Sequence, residues 1–524
     1  MQLKKIEDIP QVSTQDNAVM DRARVRSWHA WLALGVLFSL AIGMSVVADR
    51  KGYNVLSTTT APAAIISAVG ATSEVGSWGP TFPMRVPLPP APPGKPATKP
   101  FVDAVAIHAT LLPETNKVWM AYSTGLVPGP GTLAWVWDAD TGAITNASIP
   151  YAYDMMCGGH TLTSDGYLWV AGGRNNAQKT ATYDADENEW IPGPNMVVAR
   201  YYPTALTLGD GSTLVAYGSG SITIEQYDSK LNTIKTLPKT VNRVNIMSYP
   251  RLHLLPDGNV FHAGAEKATK VLNTQSWTWS PLGGTLTANA DNGVSVQLPG
   301  DGWKFLSLGG AYSQTRAQVI DLRTDTTWRT ISPMATGRAN FNAVTLPDGN
   351  ILVLGGTNAA ATKNIEMFYP ATEKFAVMAP ANPNRAYHST ATLLPSGQVL
   401  YAGNQAPFQS TGAIYSPPYL FKGTRPVISI DPASRDVVYG GNLSVQNDDL
   451  SVTRMTLVRM GPNSHGTNNE QRHIELEFAT SGSQLAVAMP TNPNLAPPGF
   501  YMMFGLNAAG VPSTAVQIKL QAAE

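Results

Sequence analysis

Residues 168–173 read LWVAGG, and this short apolar segment ending in glycine recurs along the 524-residue chain. The similar segments are VWMAYS (118–123), TLVAYG (213–218), VFHAG (260–264), FLSLGG (305–310), ILVLGG (351–356) and VLYAG (399–403). From LWVAGG onward they follow one another at about 45 residues, the spacing of β-propeller blades. A single four-stranded unit cannot cover both of its faces, so such units pack around a ring. The repeat predicts a seven-bladed β-propeller over residues 77–424.

The composition favours an all-β protein without a nucleic-acid partner. The 46 glycines and 40 prolines are spread through the chain, which indicates short strands joined by tight turns. Lysine plus arginine and aspartate plus glutamate both number 36, so the formal net charge is zero. A neutral chain argues against binding to a polyanion.

A second domain is predicted where the repeat stops, near residue 425. Residues 425–524 contain segments that alternate apolar and polar residues, which is typical of half-buried strands. These segments are NLSVQ, RMTLVRM, IELEFA, QLAVAMP, YMMFGLN and AVQIKL. We expect a C-terminal immunoglobulin-like β-sandwich.

The N-terminal region contains one uncharged apolar run at residues 31–48. A helix needs about 20 such residues to cross a bilayer. Arg22, Arg24 and Arg26 precede the run. The positive-inside tendency then predicts a cytoplasmic segment 1–30, a transmembrane helix, and an extracytoplasmic remainder that begins with a spacer at 49–76. A cleaved signal peptide is the open alternative, and the protein would then be secreted with a first residue near Asp49.

Four segments carry chemistry-bearing residues that the repeat does not require: MMCGGH (155–160), ARYYPTA (199–205), NRAYHSTATLLPSG (384–397) and GPNSHGTNNEQRHIEL (461–476). Cys157 is the one cysteine of the chain, so an intramolecular disulfide is excluded. Tyr387 and His388 are adjacent, and successive strand residues point to opposite faces. Both side chains therefore reach one site only at a strand end or in a loop. Phenolate and imidazole together suit Cu(II), although two residues do not define a site.

The order and spacing of these four segments resemble those of the galactose oxidase/glyoxal oxidase-like copper radical oxidase family. The stretches GSWGPT (76–81), WIPGPNMVVARYYPTA (190–205) and PPGFYMMFGLNAAGVPS (497–513) are also similar to that family. The resemblance extends over residues 76–524 and includes different motifs in different blades. It is therefore more specific than a kelch-type repeat alone.

The resemblance implies a function and a set of site residues. Cys157 and Tyr202 match the pair that forms a thioether radical cofactor, with the neighbouring Tyr201 as the other candidate for the tyrosine. Tyr202, Tyr387, His388 and His465 match the copper ligands, and Tyr387 is the candidate base. The implied enzyme oxidises small aldehydes or primary alcohols with O2 and produces H2O2. The expected partners are the substrate, O2 and the membrane, with a cell-surface glycan as a further candidate.

The sequence also departs from the family pattern. The tryptophan that stacks on the thioether in galactose oxidase has no match in GSGSI (218–222), where Ser221 falls nearest. The loop AYSQT (311–315) offers no match to the arginine that contacts galactose, and residues 49–76 are too few for an N-terminal carbohydrate-binding domain. These differences favour small aldehydes or simple alcohols over galactose. A non-catalytic kelch-type propeller that binds glycan or protein, and an inactive relative kept as a scaffold, remain alternatives.

Overall fold

The computed structural model describes residues 47–48, 54–55, 70–88, 99–122, 131–174, 177–219, 221–238, 249–358 and 360–521. The chain divides into two compact units, residues Met1–Pro62 and residues Ala63–Glu524. In the first unit, Val47–Ala48 pairs antiparallel with Asn54–Val55. The last two residues of the predicted transmembrane span are thus in a strand rather than a helix. The rest of that span and the segment 1–30 lie outside the described residues. No helix within the described ranges is long and apolar enough to cross a membrane.

Apart from one two-stranded pair, the described strands between residues 108 and 416 form seven antiparallel sheets, numbered here sheet 1 to sheet 7 in chain order. The strands of sheet 1 are His108–Leu111, Lys117–Tyr122, Leu133–Asp138 and Ile144–Asn146. Those of sheet 2 are Gly159–Leu162, Leu168–Ala171, Thr180–Asp184 and Glu189–Pro192. Those of sheet 3 are Thr204–Thr207, Thr213–Ala216, Ile224–Asp228 and Thr233–Thr236. The strands of sheets 4 and 5 are Leu252–Leu254, Val260–His262, Ala268–Asn273 and Thr278–Thr285; and Val294–Gln297, Lys304–Leu308, Ala317–Asp321 and Arg329–Thr330. The strands of sheets 6 and 7 are Asn342–Thr345, Ile351–Leu354, Ile365–Tyr369 and Lys374–Met378; and Ser389–Leu393, Val399–Gly403 and Thr411–Ser416.

The recurring apolar segments form the second strand of each sheet. Leu168–Ala171 and Ile351–Leu354 are buried along their whole length, because neighbouring structure covers both faces of the sheet. Tight turns join the first strand to the second. Gly166 and Gly349 occupy these turns at φ +98° and +89°, a backbone region that glycine enters without the steric cost of a Cβ atom. The Asp-Gly pairs in the sequence therefore mark hairpins.

Sheet 7 takes its outer strands from an earlier part of the chain. Ser77–Trp78 and Phe82–Pro83 both pair with Thr411–Ser416. The first strand of sheet 7 also contacts the first strands of sheet 6 and sheet 1. These contacts connect the two ends of the series of sheets. Closure into a seven-bladed propeller stays a prediction, and the all-β class is confirmed.

Two sheets with a shared apolar core follow residue 425. One contains Asp436–Val438, Val516–Gln521, Gly499–Asn507, Val452–Arg459 and His473–Leu476, and the other contains Asn442–Gln446, Gln484–Ala488 and Phe478–Ser481. Leu443, Val487, Met455 and Tyr501 belong to the core between them. The remaining described elements are the helix Thr72–Val75, the 3-10 turns Pro418–Phe421 and Pro432–Ser434, and the strand pairs Arg85–Pro87 with Phe101–Asp103 and Thr357–Asn358 with Ala360–Ala361.

The segment 463–473 joins the C-terminal sheets to the first strands of the numbered sheets. Asn463–Ser464 adds a strand to sheet 1 beside His108–Leu111. Glu470 accepts a hydrogen bond from the Thr207 N–H of sheet 3 at 2.7 Å, and the side chain of Gln471 bonds sheet 6. The side chain of Arg472 bonds sheet 5. One segment of the C-terminal region therefore contacts the inner strands of several sheets.

Buried ion pairs stabilise some of the loops that connect the strands. Arg200, which lies shortly before sheet 3, and Glu225 of sheet 3 are both fully buried, and their side chains form an ion pair at 2.7 Å. Arg200 also donates to the carbonyl oxygens of Tyr217 and Thr223, and Glu225 accepts from the Val197 N–H at 2.8 Å. The pair thereby fixes the segment that leads to Tyr201 and Tyr202.

We expect Glu225→Gln to lower the free energy of unfolding by about 3–5 kcal/mol, because it leaves the Arg200 charge buried without a counterion. Urea unfolding of the purified protein measures this change. Glu475→Gln removes a partner from the exposed Arg454–Glu475 pair and is the matched control. The control should cost about 0–1 kcal/mol. Equal losses in the two variants would contradict this explanation.

Candidate metal centre

Several site residues lie immediately before the first strand of a sheet and have a left-handed backbone. Only a few per cent of non-glycine residues adopt a positive φ, and such residues concentrate at functional sites. Cys157 precedes sheet 2 at φ +61°, Tyr202 precedes sheet 3 at +61°, Tyr249 precedes sheet 4 at +48°, and His388 precedes sheet 7 at +67°. The irregular backbone at these strand ends turns the side chains toward one place.

Backbone hydrogen bonds join these residues from one sheet to the next. The Tyr202 N–H donates to the Cys157 carbonyl at 2.8 Å, and the Tyr249 N–H donates to the Tyr202 carbonyl at 2.8 Å. The relative positions of sheets 2, 3 and 4 at this edge are therefore set by the main chain. These hydrogen bonds hold the main chain from which the side chains of Cys157, Tyr202 and Tyr249 extend.

His465 reaches the site from the C-terminal region. It follows the short strand Asn463–Ser464 and has φ +53°. Its Nδ1 atom lies 2.6 Å from the Ser464 hydroxyl. Its Nε2 atom lies 3.3 Å from the Cys157 sulfur. The serine contact occupies one ring nitrogen and leaves the other directed into the site.

All five residues assigned to the site from the sequence lie together. The hydroxyl oxygens of Tyr202 and Tyr387 are 3.3 Å apart. The rings of Tyr387 and His388 stack at a centroid distance of 3.8 Å, and the His388 and His465 rings lie 4.5 Å apart. The adjacent residues 387 and 388 thus place both rings on the same side of the chain, immediately before a strand. Tyr387 is 37 % exposed, so the site is open to solvent on its side.

The donor atoms fit a soft-to-borderline metal ion. His388 Nδ1 contacts the Gln405 side-chain oxygen, whereas its buried Nε2 has no hydrogen-bond partner in the described part of the chain. The ligand atoms of Cys157, His388 and His465 lie within 4.8 Å of one another. Imidazole, phenolate and thiolate are donors that copper accepts. An unpartnered buried nitrogen beside a thiol and a second imidazole is what a copper ion would satisfy.

Burial controls the protonation states of the phenols and imidazoles in the site. Burial raises the pKa of Tyr202 far above its ordinary value, and the nearby Cys157 and the hydrogen bonds to Tyr201 and Tyr387 add to this effect. Burial also lowers the pKa of His388 to about 4 and holds that of His465 well below its ordinary value. Phenols and neutral imidazoles therefore predominate at neutral pH. A bound cation would favour the phenolate form.

Three contributors were missed by the sequence analysis. Gln405 orients His388, Ser464 orients His465, and the Tyr249 ring packs 4.9 Å from that of His465 and 5.1 Å from that of Tyr202. Only Ser464 carries a signal in the sequence, its position next to a candidate ligand. The other two become visible only in three dimensions.

The structure also places Tyr201, the other candidate for the cross-linked tyrosine, and Ser221, the residue nearest the missing tryptophan. The Tyr201 ring lies 4.1 Å from the Tyr202 ring at 50°. Burial raises the pKa of Cys157, and hydrogen bonds to Tyr201 and Tyr202 oppose this rise, so both phenols are near the thiol. Ser221, the residue nearest the missing tryptophan, instead accepts from Arg200 at 3.0 Å. It supports the backbone rather than covering the site.

A buried thiol, two phenols and two imidazoles meet here at the strand ends of an all-β protein, and this combination defines the class of copper radical oxidases. Residues 425–520 match the family described as "Galactose oxidase-like, Early set domain". The chain is 28 % identical to galactose oxidase of Gibberella zeae, over 85 % of this chain and 71 % of that protein. It is 26 % identical to the aldehyde oxidase GLOX of Vitis pseudoreticulata, over 70 % of this chain and 82 % of that protein.

A solved structure is also similar. It is described as a fungal alcohol oxidase with catalytic diversity, in complex with copper. The TM-score is 0.75 at 27 % identity, and the match covers 86 % of this chain and all of the other. Over most of its length the chain is thus similar to oxidases of the galactose oxidase/glyoxal oxidase kind, and these similarities support a copper-dependent radical oxidase.

Proposed function

We propose that this protein oxidises small aldehydes, in their hydrated form, or simple primary alcohols, and passes the electrons to O2 to form H2O2. The observation that carries the proposal is the convergence of Cys157 with two phenols and two imidazoles in one partly open site. Relatives named galactose oxidase and aldehyde oxidase, and a copper-bound alcohol oxidase structure, support it. We propose that the fold that carries this site is a seven-bladed β-propeller.

Copper would be held by Tyr202, Tyr387, His388 and His465. Together with a tyrosine joined to Cys157 by a thioether, the bound metal supplies the capacity to accept two electrons from substrate. The chain fixes the donors beforehand. Gln405 and Ser464 each engage one nitrogen of a histidine, which leaves the other nitrogen for the metal.

Tyr387 is suited to the proton transfer. The Tyr387 residue is partly exposed, whereas Cys157 and His388 are buried. A substrate hydroxyl that enters from solvent would meet the Tyr387 oxygen, which in its phenolate form accepts the proton as a general base. The neighbouring Tyr202 hydroxyl, at 3.3 Å, lies within reach of the same substrate. The two phenols would thus have separate tasks, Tyr387 as base and Tyr202 as the modified ring.

The thioether provides the first test, because Tyr201 and Tyr202 both lie near Cys157. We expect the intact mass of the copper-treated, aerated protein to fall by two hydrogen atoms, and the two tryptic segments to remain joined under reductant. Tyr202→Phe should abolish this cross-link, whereas Tyr201→Phe should retain it. The opposite result would identify Tyr201 as the modified residue.

Cys157→Ser separates the cofactor from the metal site within the same experiment. The four proposed ligands remain, so copper stoichiometry measured by metal analysis should be unchanged. Turnover should fall by orders of magnitude, since the ring is harder to oxidise without the ortho sulfur. Full activity in this variant would contradict the proposed cofactor.

The substrate class follows from the site's departures from the galactose oxidase pattern. No arginine is matched in the loop 311–315, and Ser221 is engaged by Arg200. We expect glyoxal, methylglyoxal or simple primary alcohols to have a higher kcat/KM than galactose in a coupled peroxide assay. A kcat/KM for galactose tenfold above that of every aldehyde tested would refute this assignment.

We also propose that residues 31–48 place the catalytic part outside the cytoplasm as a single-pass anchor. The support is the apolar run preceded by Arg22, Arg24 and Arg26. A reporter that is active only outside the cytoplasm, fused after residue 60, should be active. The full-length protein should also resist carbonate extraction. Recovery of a mature chain that begins near Asp49 would instead identify a cleaved signal peptide.

A further inference from the structure

A second buried histidine, outside the proposed ligand set, bonds directly to the backbone of Cys157. His108 begins the first strand of sheet 1 and is 3 % exposed. The Cys157 N–H donates to its Nε2 atom at a nitrogen-to-nitrogen distance of 3.2 Å. This contact assigns the lone pair to Nε2 and the ring proton to Nδ1. The bond connects sheet 1 with the segment that precedes sheet 2.

Cys157 needs such a partner because its backbone is strained and buried. A left-handed conformation is unfavourable for a residue with a Cβ atom, and a buried N–H without an acceptor adds to that cost. The carbonyl side of Cys157 is held by the Tyr202 N–H at 2.8 Å. The amide side is held by His108. Together these two bonds fix the direction in which the sulfur atom leaves the main chain.

The main chain of His108 is joined to the other side of the site. His108 pairs with Ser464, the residue before His465, where the C-terminal segment adds a strand to sheet 1. The His108 and His465 rings lie 5.9 Å apart. One residue therefore connects the Cys157 turn, through its side chain, with the His465 loop, through its backbone. The 3.3 Å contact between the Cys157 sulfur and His465 Nε2 lies between these two attachments.

We propose that His108 is a positioning residue for formation of the Cys157–Tyr202 thioether: its imidazole holds the Cys157 backbone so that the sulfur faces the tyrosine ring. This inference rests on the proposed function. In the reaction the S–H bond and one ring C–H bond break and one C–S bond forms. The two protons and two electrons that are released pass to O2, giving H2O2. His108 exchanges no proton or electron and acts through geometry alone.

The experiment follows cross-linking over time after copper is added to the aerated, copper-free protein. His108→Phe keeps a ring of similar size and removes the acceptor, so we expect cross-linking to slow by about tenfold or more. His108→Gln places an oxygen close to the former Nε2 position and should restore the rate to within about threefold of the wild type. Copper stoichiometry should be unchanged in both variants. Turnover per cross-linked molecule and KM should match the wild type.

His160 supplies the matched control. It is also buried, its ring lies 4.9 Å from that of His108 at 82°, and its Nε2 makes no hydrogen bond to a described residue. His160→Phe therefore changes the same cluster without removing a bond to Cys157, and its cross-linking rate should stay within about threefold of the wild type. An equal slowing in His160→Phe and His108→Phe would reduce the effect to general packing and overturn the proposal.

The remaining outcomes distinguish a failure of the proposed function from a failure of the role proposed for His108. If the wild-type protein never forms the cross-link, the proposed function fails first. If the wild type cross-links and His108→Phe does so at the same rate, only the role of His108 fails. Should His108→Phe not fold, His108→Asn takes its place, because the shorter amide cannot reach the Nε2 position. The proposal then requires the Asn variant to be slow and the Gln variant fast, and equal rates would refute it.

Discussion

The site depends on a short series of main-chain hydrogen bonds between residues that precede the first strands of neighbouring sheets. Tyr202 donates to the Cys157 carbonyl, and Tyr249 donates to the Tyr202 carbonyl. Each of these residues has a left-handed backbone, which is unfavourable in an isolated chain. The surrounding sheets supply the packing energy that maintains this conformation. The positions of Cys157, Tyr202 and Tyr249 then follow from how sheets 2, 3 and 4 pack.

The electrostatics of the site follow from the same packing. Burial of Tyr202 disfavours its phenolate, and burial of His388 and His465 disfavours their imidazolium forms. The side chains that meet are therefore neutral, and a divalent ion could enter without displacing a positive side chain from among them. Buried arginines nearby, such as Arg200, are already compensated by Glu225 and by backbone carbonyls. The Arg200 charge is therefore paired with Glu225 and not with the site residues, although only one residue separates Arg200 from Tyr202.

Local patterns in the sequence predicted the local structure well. The recurring apolar segments correspond to the second strands of the sheets, and NLSVQ corresponds to the strand Asn442–Gln446. His465 had no local signal and was assigned through the family resemblance alone. It lies 308 positions from Cys157 yet touches its sulfur. The roles of Gln405, Tyr249 and His108 were not foreseen, because each depends on contacts between separate sheets that no periodicity encodes.

The strand formed by Asn463–Ser464 has a consequence for the order in which the protein matures. Translation reaches residue 416, the end of sheet 7, well before it reaches His465. A nascent chain at that stage holds Cys157, Tyr202, Tyr387 and His388 but lacks the last imidazole. The gap beside His108 is filled only when the later segment folds back onto sheet 1. The complete set of donors therefore arises after synthesis of the C-terminal region, and premature capture of metal by the growing chain would lack one of its nitrogen donors.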